Sequence, residues 1–106
     1  METEFLEKAQ ALFDRIEQAM DGLSVDIDSE RNGNVLTLES QTGEQVVLNV
    51  HTPTSEVWLA SRAGGYRFTY KDGQWIVSNG TQELQGVLEQ ALNYICNTSV
   101  RFCQKI

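Results

Sequence analysis

Gln45-Val46-Val47-Leu48-Asn49-Val50-His51-Thr52-Pro53-Thr54-Ser55-Glu56-Val57-Trp58-Leu59-Ala60 lies at the centre of a 106-residue chain and sets the logic of its fold. Residues 45–51 and 56–60 are rich in β-branched and aromatic side chains, and Pro53 separates them. A link this short joins antiparallel neighbours, because a parallel crossover needs about a dozen residues. The same pattern extends both ways. Upstream, Val25-Asp26-Ile27-Asp28-Ser29-Glu30 alternates strictly, Asn32-Gly33 is a hairpin signal, residues 35–40 form the next strand, and Thr42-Gly43 turns the chain. Downstream, Gly64-Gly65 is expected to turn the chain into a strand over 66–71, and Asp72-Gly73 closes a hairpin onto 74–77.

Two amphipathic segments flank these strands. Over residues 4–21, Phe5, Ala9, Leu12, Phe13, Ile16 and Met20 share one side of a helix, with Thr3 as the expected cap and Gly22 at the exit. Over about 82–96, Leu84, Val87, Leu88, Ala91, Leu92 and Ile95 do the same, with Thr81 as the expected cap. Val100-Arg101-Phe102 is apolar enough to dock back onto the helices. Helix, antiparallel strands, helix predicts an α+β fold. The expected form is a two-layer α-β sandwich, with the N- and C-terminal helices on one face of a sheet of about five to six strands. Residues 1–106 are read as one domain, of a size that buries a core without staples. The other sheet face then meets water or a partner.

Charge is distributed unevenly. The first thirty residues hold nine acids and two bases, a local net charge of −7, while the other seventy-six residues balance at zero. Such a surface attracts cations or a basic protein patch and repels nucleic acid and anionic lipid, so neither nucleic acid nor membrane is an expected partner. Glu7, Asp14, Glu17 and Asp21 form a stripe on the solvent side of the first helix, and Asp26, Asp28 and Glu30 share one face of the first strand. An EF-hand reading of Asp26-x-Asp28-x-Glu30 fails, with Arg31 where the turn needs Gly and Thr37 where a bidentate Glu belongs. Two readings stay open: a solvated acidic face, or a site for hard cations or a basic partner, in which oxygen ligands without a closed cage bind loosely.

Catalytic apparatus is missing. His51 is the sole histidine, GxSxG, CxxC and HExxH do not occur, and Gly64-Gly65 lacks the lysine and helix of a phosphate loop. His51 reads as an exposed or hydrogen-bonded strand-end residue. Cys96 and Cys103 have no metal-site spacing and are too few for a disulfide framework, which makes a reducing cytosol the expected compartment. The N-terminus has no signal or transit pattern, and nothing approaches the roughly 20 apolar residues of a membrane span. Trp58 is the second unusual feature. If Val57 and Leu59 face the helices, Trp58 stands on the open sheet face as a candidate interface anchor; the opposite register makes it core. Trp75 is expected to pack near the hairpin it starts.

Asn49-x-x-Thr52-Pro53-x-x-Glu56-Val57-Trp58-Leu59-Ala60-Ser61, followed by Gly64-Gly65-Tyr66-x-Phe68 and Trp75, resembles the signature of the frataxin family, in its bacterial CyaY type. The likeness spans nearly the whole chain, from the acidic first helix to Val100-x-Phe102. It implies weak binding of ferrous and ferric iron on an acidic ridge of first helix and first strand, with other divalent cations as substitutes. It implies an iron-binding regulator or iron donor in iron–sulfur cluster assembly, acting on the cysteine desulfurase and its scaffold protein in the bacterial cytoplasm. Bacterial members are described as slowing assembly in an iron-dependent way, mitochondrial ones as activating it. It further implies a non-enzyme, at most a weak ferroxidase, that is monomeric without metal and able to form oligomers with iron.

By the same resemblance, Glu17, Asp21, Asp26, Asp28 and Glu30 match ridge positions, and Glu7 and Asp14 extend the stripe. Gln18 and Gly22 stand where bacterial relatives often place further acids, so this ridge is thinner. Asn49 and Trp58 match the family's partner-contact positions, while His51 and Arg67 occupy positions in that surface that vary. The rival reading is an iron storage protein and ferroxidase that oxidises and sequesters Fe(II) as oligomers. Ferroxidase centres usually use Glu-x-x-His pairs, which this chain lacks. An acidic adaptor without a metal role is the third option.

Overall fold

Strictly alternating strands leave each side chain one of two faces, and the helices decide which face is buried. The computed structural model describes residues 2–23, 26–62, 64–96, 100–102 and 106; Val25 of the expected first strand and Cys103 lie outside them. The chain runs α1 (Glu2–Asp21), β1 (Ile27–Asn32), β2 (Val35–Ser40), β3 (Gln45–His51), a 3-10 turn (Thr52–Thr54), β4 (Glu56–Ser61), β5 (Gly64–Lys71), β6 (Gln74–Val77) and α2 (Leu84–Cys96). The six strands form one sheet in the order β1-β2-β3-β4-β5-β6, and each pair is antiparallel. This is the expected α+β sandwich.

Leu36 and Leu38 of β2, Val46, Leu48 and Val50 of β3, Val57 and Leu59 of β4, and Phe68 of β5 are buried on one face. Phe5, Ala9, Leu12, Phe13, Ile16 and Met20 of α1 and the apolar stripe of α2 cover them. Trp75 is buried too, edge-on to Phe5 at 6.0 Å and to Tyr70 at 5.1 Å, and so fastens the start of α1 to the β5–β6 hairpin. Val100 is buried and Phe102 packs on the core. Phe102 N–H donates to Glu89 Oε2 at 2.8 Å and Val100 N–H to Asn93 Oδ1, so the tail docks on α2 as expected.

The differences lie at element ends. α1 starts at Glu2, which puts Thr3 inside its first turn and not at the cap. α2 starts at Leu84 because the preceding residues are drawn onto the sheet: Glu83 bridges Ile76, and Val77 N–H donates to Gln82 O at 2.8 Å. Thr81 is therefore too far upstream to cap the helix. Gly64 and Gly65 belong to β5, paired with Ser61 and Ala60, so the reversal falls between Ser61 and Gly64. Cys96 closes α2, half-buried, and burial together with the Glu44 carboxylate pushes its thiol up, the opposite of a reactive thiolate.

The two hairpin signals resolve differently. Asp72 and Gly73 both have positive φ (52° and 81°), the pattern of a type I′ turn between Lys71 and Gln74. At the first hairpin Gly33 alone is positive, at 62°, with Asn34 as second loop residue, which fits type II′. Space is not the constraint at Gly73, since an added Cβ there meets nothing within 4 Å. Gly73→Ala should therefore lower unfolding stability by about 1 kcal/mol through backbone strain alone. An unchanged urea midpoint would show that the turn relaxes instead.

Candidate functional site

Because α1 lays its apolar side on the sheet, its acidic stripe must face outward. Glu7, Asp14 and Asp21 are exposed and Glu17 is half-buried. The link from α1 to β1 is short, so the carboxylates of the edge strand adjoin those of the helix. The two sets do not share a face. Register pairs Ile27, Ser29 and Arg31 with the inward-facing Ser40, Leu38 and Leu36, whereas Asp28 and Glu30 pair with Glu39 and Thr37 on the open side. The acids thus form a band that wraps the β1 edge: Glu7, Asp14, Glu17 and Asp21 on the helix layer, Asp28 and Glu30 on the open face, and exposed Asp26 just before β1, where it accepts from Gln41 Nε2 at 2.7 Å.

Arg31 sits inside this band. Its Nη1 reaches Asp14 Oδ1 at 2.5 Å and Glu17 Oε1 at 2.9 Å, its Nη2 bonds Gln10 Oε1 and Gln10 O, and the guanidinium lies 5.5 Å from the Phe13 ring. The Asp14 hydrogen bond, opposed by partial burial and helped by Glu17, raises the guanidinium further above its usual range. Arg31 thus ties α1 to β1 and supplies a positive charge that Asp14 and Glu17 already share. No local pattern marks it as a partner of the helix acids; its alternation with Ile27 toward the helix layer is the one signal the residues carry. Among the described residues, no three His, Cys, Asp or Glu side chains converge closely enough to hold a metal ion between them.

The second surface is the open sheet face. Val57 and Leu59 are buried, which places Trp58 on the opposite side, half-buried. Asn49, Trp58 and Arg67 are register partners across β3, β4 and β5. His51 stacks on the Trp58 ring with centroids 4.0 Å apart and planes 16° apart, and the Arg67 guanidinium lies over that ring at 5.0 Å. All four candidate partner-binding residues therefore meet in one patch. Beside it runs a groove of about 600 Å³, walled by Trp58, Arg67, Ser78 and Asn79 and floored by the small pair Ala60 and Gly65.

Glu56 underlies this patch and was not among the expected site residues, although it shares the parity of Trp58. Its carboxylate accepts from Ser78 Oγ at 2.6 Å and from Trp58 Nε1 at 3.1 Å. The Ser78 hydrogen bond, followed by those from Thr54 and Trp58 and by the Arg67 charge, holds this carboxyl below the usual range against the opposing effect of burial.

A family model described as a frataxin-like domain matches residues 1–98. The chain is 36% identical over 103 residues to the iron-sulfur cluster assembly protein CyaY of Neisseria meningitidis serogroup A, covering 97% of this chain and 96% of that protein. To the protein of the same name from Vibrio cholerae it is 46% identical over 89 residues, covering 84% and 86%. Its fold is similar to the frataxin of Psychromonas ingrahamii, with a TM-score of 0.89, 29% identity, and coverage of 97% and 98%. A trimeric frataxin from the yeast Saccharomyces cerevisiae, complexed with ferrous iron, is also similar, at a TM-score of 0.67 and 26% identity over 90% of this chain and 87% of that one.

Two outcomes follow from the site geometry. Arg31→Gln should cost up to about 1 kcal/mol at low salt and less at high salt, because its partners Asp14 and Glu17 are partly solvated; a loss independent of salt in denaturant melts would assign the role to packing on Phe13. The lowered Glu56 pKa means that the folded state binds this proton less readily than the unfolded chain. Its contribution to stability is then complete above the unfolded value near 4.5 and is lost as pH falls through the lower folded value. Glu56→Gln should flatten the acid limb of a stability–pH curve, and an identical acid limb would remove that assignment.

Proposed function

This chain belongs to the frataxin-like family, and on that premise we propose that it serves iron–sulfur cluster assembly as an iron-binding regulator and iron donor, without itself being the catalyst. The observation that carries this reading is the exposed carboxylate band of α1 and β1, on a chain similar to proteins named for that assembly. Iron is the cargo. Open carboxylates with solvent on one side suit a hard cation held weakly and released readily, and other divalent cations compete on the same terms.

With Arg31 occupying Asp14 and Glu17, the contacts to Fe²⁺ fall chiefly on Asp21, Asp26, Asp28 and Glu30, with Glu7 extending the field. The band also docks on basic residues of the cysteine desulfurase, while Asn49, His51, Trp58 and Arg67 meet the assembled desulfurase–scaffold complex. Since the same carboxylates serve metal and desulfurase, iron occupancy tunes the complex. The protein acts in the bacterial cytoplasm, monomeric without metal and able to form oligomers under iron load; among the described residues no helix is long and apolar enough to cross a membrane.

The test is anaerobic cluster formation by a cognate desulfurase and scaffold, with and without this protein, at two iron levels. A rate that changes with dose and shifts with iron is expected. No effect at stoichiometric excess would overturn the regulatory reading in favour of iron carriage or storage. In the same system, Asp26→Lys combined with Asp28→Lys should weaken desulfurase binding most at low salt, and an unchanged affinity there would remove the ridge from the interface.

A further inference from the structure

We propose that Glu56 is the positioning residue of the open-face docking surface: it locks the Trp58 indole and one wall of the adjacent groove into the shape that the protein partner meets. This deepens the docking reading above and rests on it.

A carboxylate on the solvent-facing side of a strand is normally hydrated, yet Glu56 is only 9% exposed. Burying it is costly unless its oxygens are satisfied. Here they are divided between two walls of the groove. Oε1 accepts the Trp58 indole N–H, and Oε2 accepts the hydroxyl of Ser78, which follows β6. Ser78 is held to β5 as well, its N–H donating to Arg67 O at 2.9 Å. Thr54 also hydrogen-bonds Glu56, helping to hold its carboxyl low, and its Oγ1 lies 2.9 Å from His51 Nδ1. One carboxylate therefore joins the 3-10 turn, β4 and the turn after β6, the three segments that frame Trp58.

This geometry restricts what a partner can use. The indole N–H is already committed to Glu56, and His51 covers one ring face. The Arg67 guanidinium also lies over that ring, so recognition falls to the ring edge and to the groove floored by Ala60 and Gly65. The surface thus offers a protein partner a fixed ring edge beside a groove with a small-residue floor, and does not serve a hydrogen-bond acceptor seeking the indole.

The experiment follows the Trp58 indole ¹⁵N–H resonance, identified by its loss in Trp58→Phe, alongside binding to a cognate desulfurase–scaffold complex. In the wild-type protein that resonance should move on acidification as Glu56 takes up its proton. Glu56→Ala should shift and broaden it and weaken docking about tenfold, the scale of one lost hydrogen bond to a charged group. Glu56→Gln, which keeps an acceptor for the indole, should restore both. In a Trp58→Ala background, Glu56→Ala should cause no further loss of binding. Ser78→Ala, at an exposed position, should reproduce the defect in weaker form even if Glu56→Ala does not fold. An indole resonance indifferent to acid and to Ser78→Ala would overturn the proposal, as would a Glu56→Ala binding loss of equal size with and without Trp58. If wild-type protein fails to bind the complex, the functional reading falls, and the resonance measurements still decide whether Glu56 positions Trp58.

Discussion

Leu36, Leu38, Val46, Leu48, Val50, Val57, Leu59 and Phe68 turn one face of the sheet into a continuous apolar floor, and α1 and α2 lie across it. Each such side chain removed from water contributes roughly 1.5–3 kcal/mol, so the pairing of floor and helices dominates what holds the chain together. It also dictates where polarity goes. A helix committed by Phe5, Leu12, Phe13 and Ile16 to the floor must present Glu7, Asp14 and Asp21 outward. A strand committed by Val57 and Leu59 must present Glu56 and Trp58 on the opposite face. Both candidate surfaces are by-products of the same burial.

Within that frame the two surfaces use charge in opposite ways. The acidic band leaves most of its carboxylates in water, where they attract cations at range and hold them loosely. Arg31 answers two of them internally, so the band is divided between a part spent on fastening α1 to β1 and a part left open. The sheet face does the reverse. It buries a single carboxylate among hydrogen-bond donors, converting a charge into rigidity around Trp58 and Arg67.

Much of this was legible in the residues. Period-3.6 and period-2 patterns located both helices and all six strands, and the parity of Val57 and Leu59 gave the two alternatives for Trp58 that the structure then decided. What escaped was set by contacts between distant parts of the chain. Arg31 meets Asp14 seventeen residues away, and Ser78 meets Glu56 twenty-two residues away, distances that no local periodicity encodes. The Thr81 cap failed for a related reason: pairing of Glu83 with Ile76 keeps the chain extended until Leu84. Gly64 and Gly65 look like a turn because glycine permits one, yet hydrogen bonding to Ser61 and Ala60 makes them strand. The likeness of the central segment to frataxins pointed to the family, where charge alone left several partner classes open.

The order of the sheet is also the order of the chain, each strand beside the one before it. Nearly all of its ladders can therefore close by short-range encounters, at little cost in loop entropy. The long-range step is confined to bringing the first and last helices together over a meander that is already paired. Such a topology favours fast recovery after unfolding. The strand that carries both Glu56 and Trp58 can then find its register before the core is sealed.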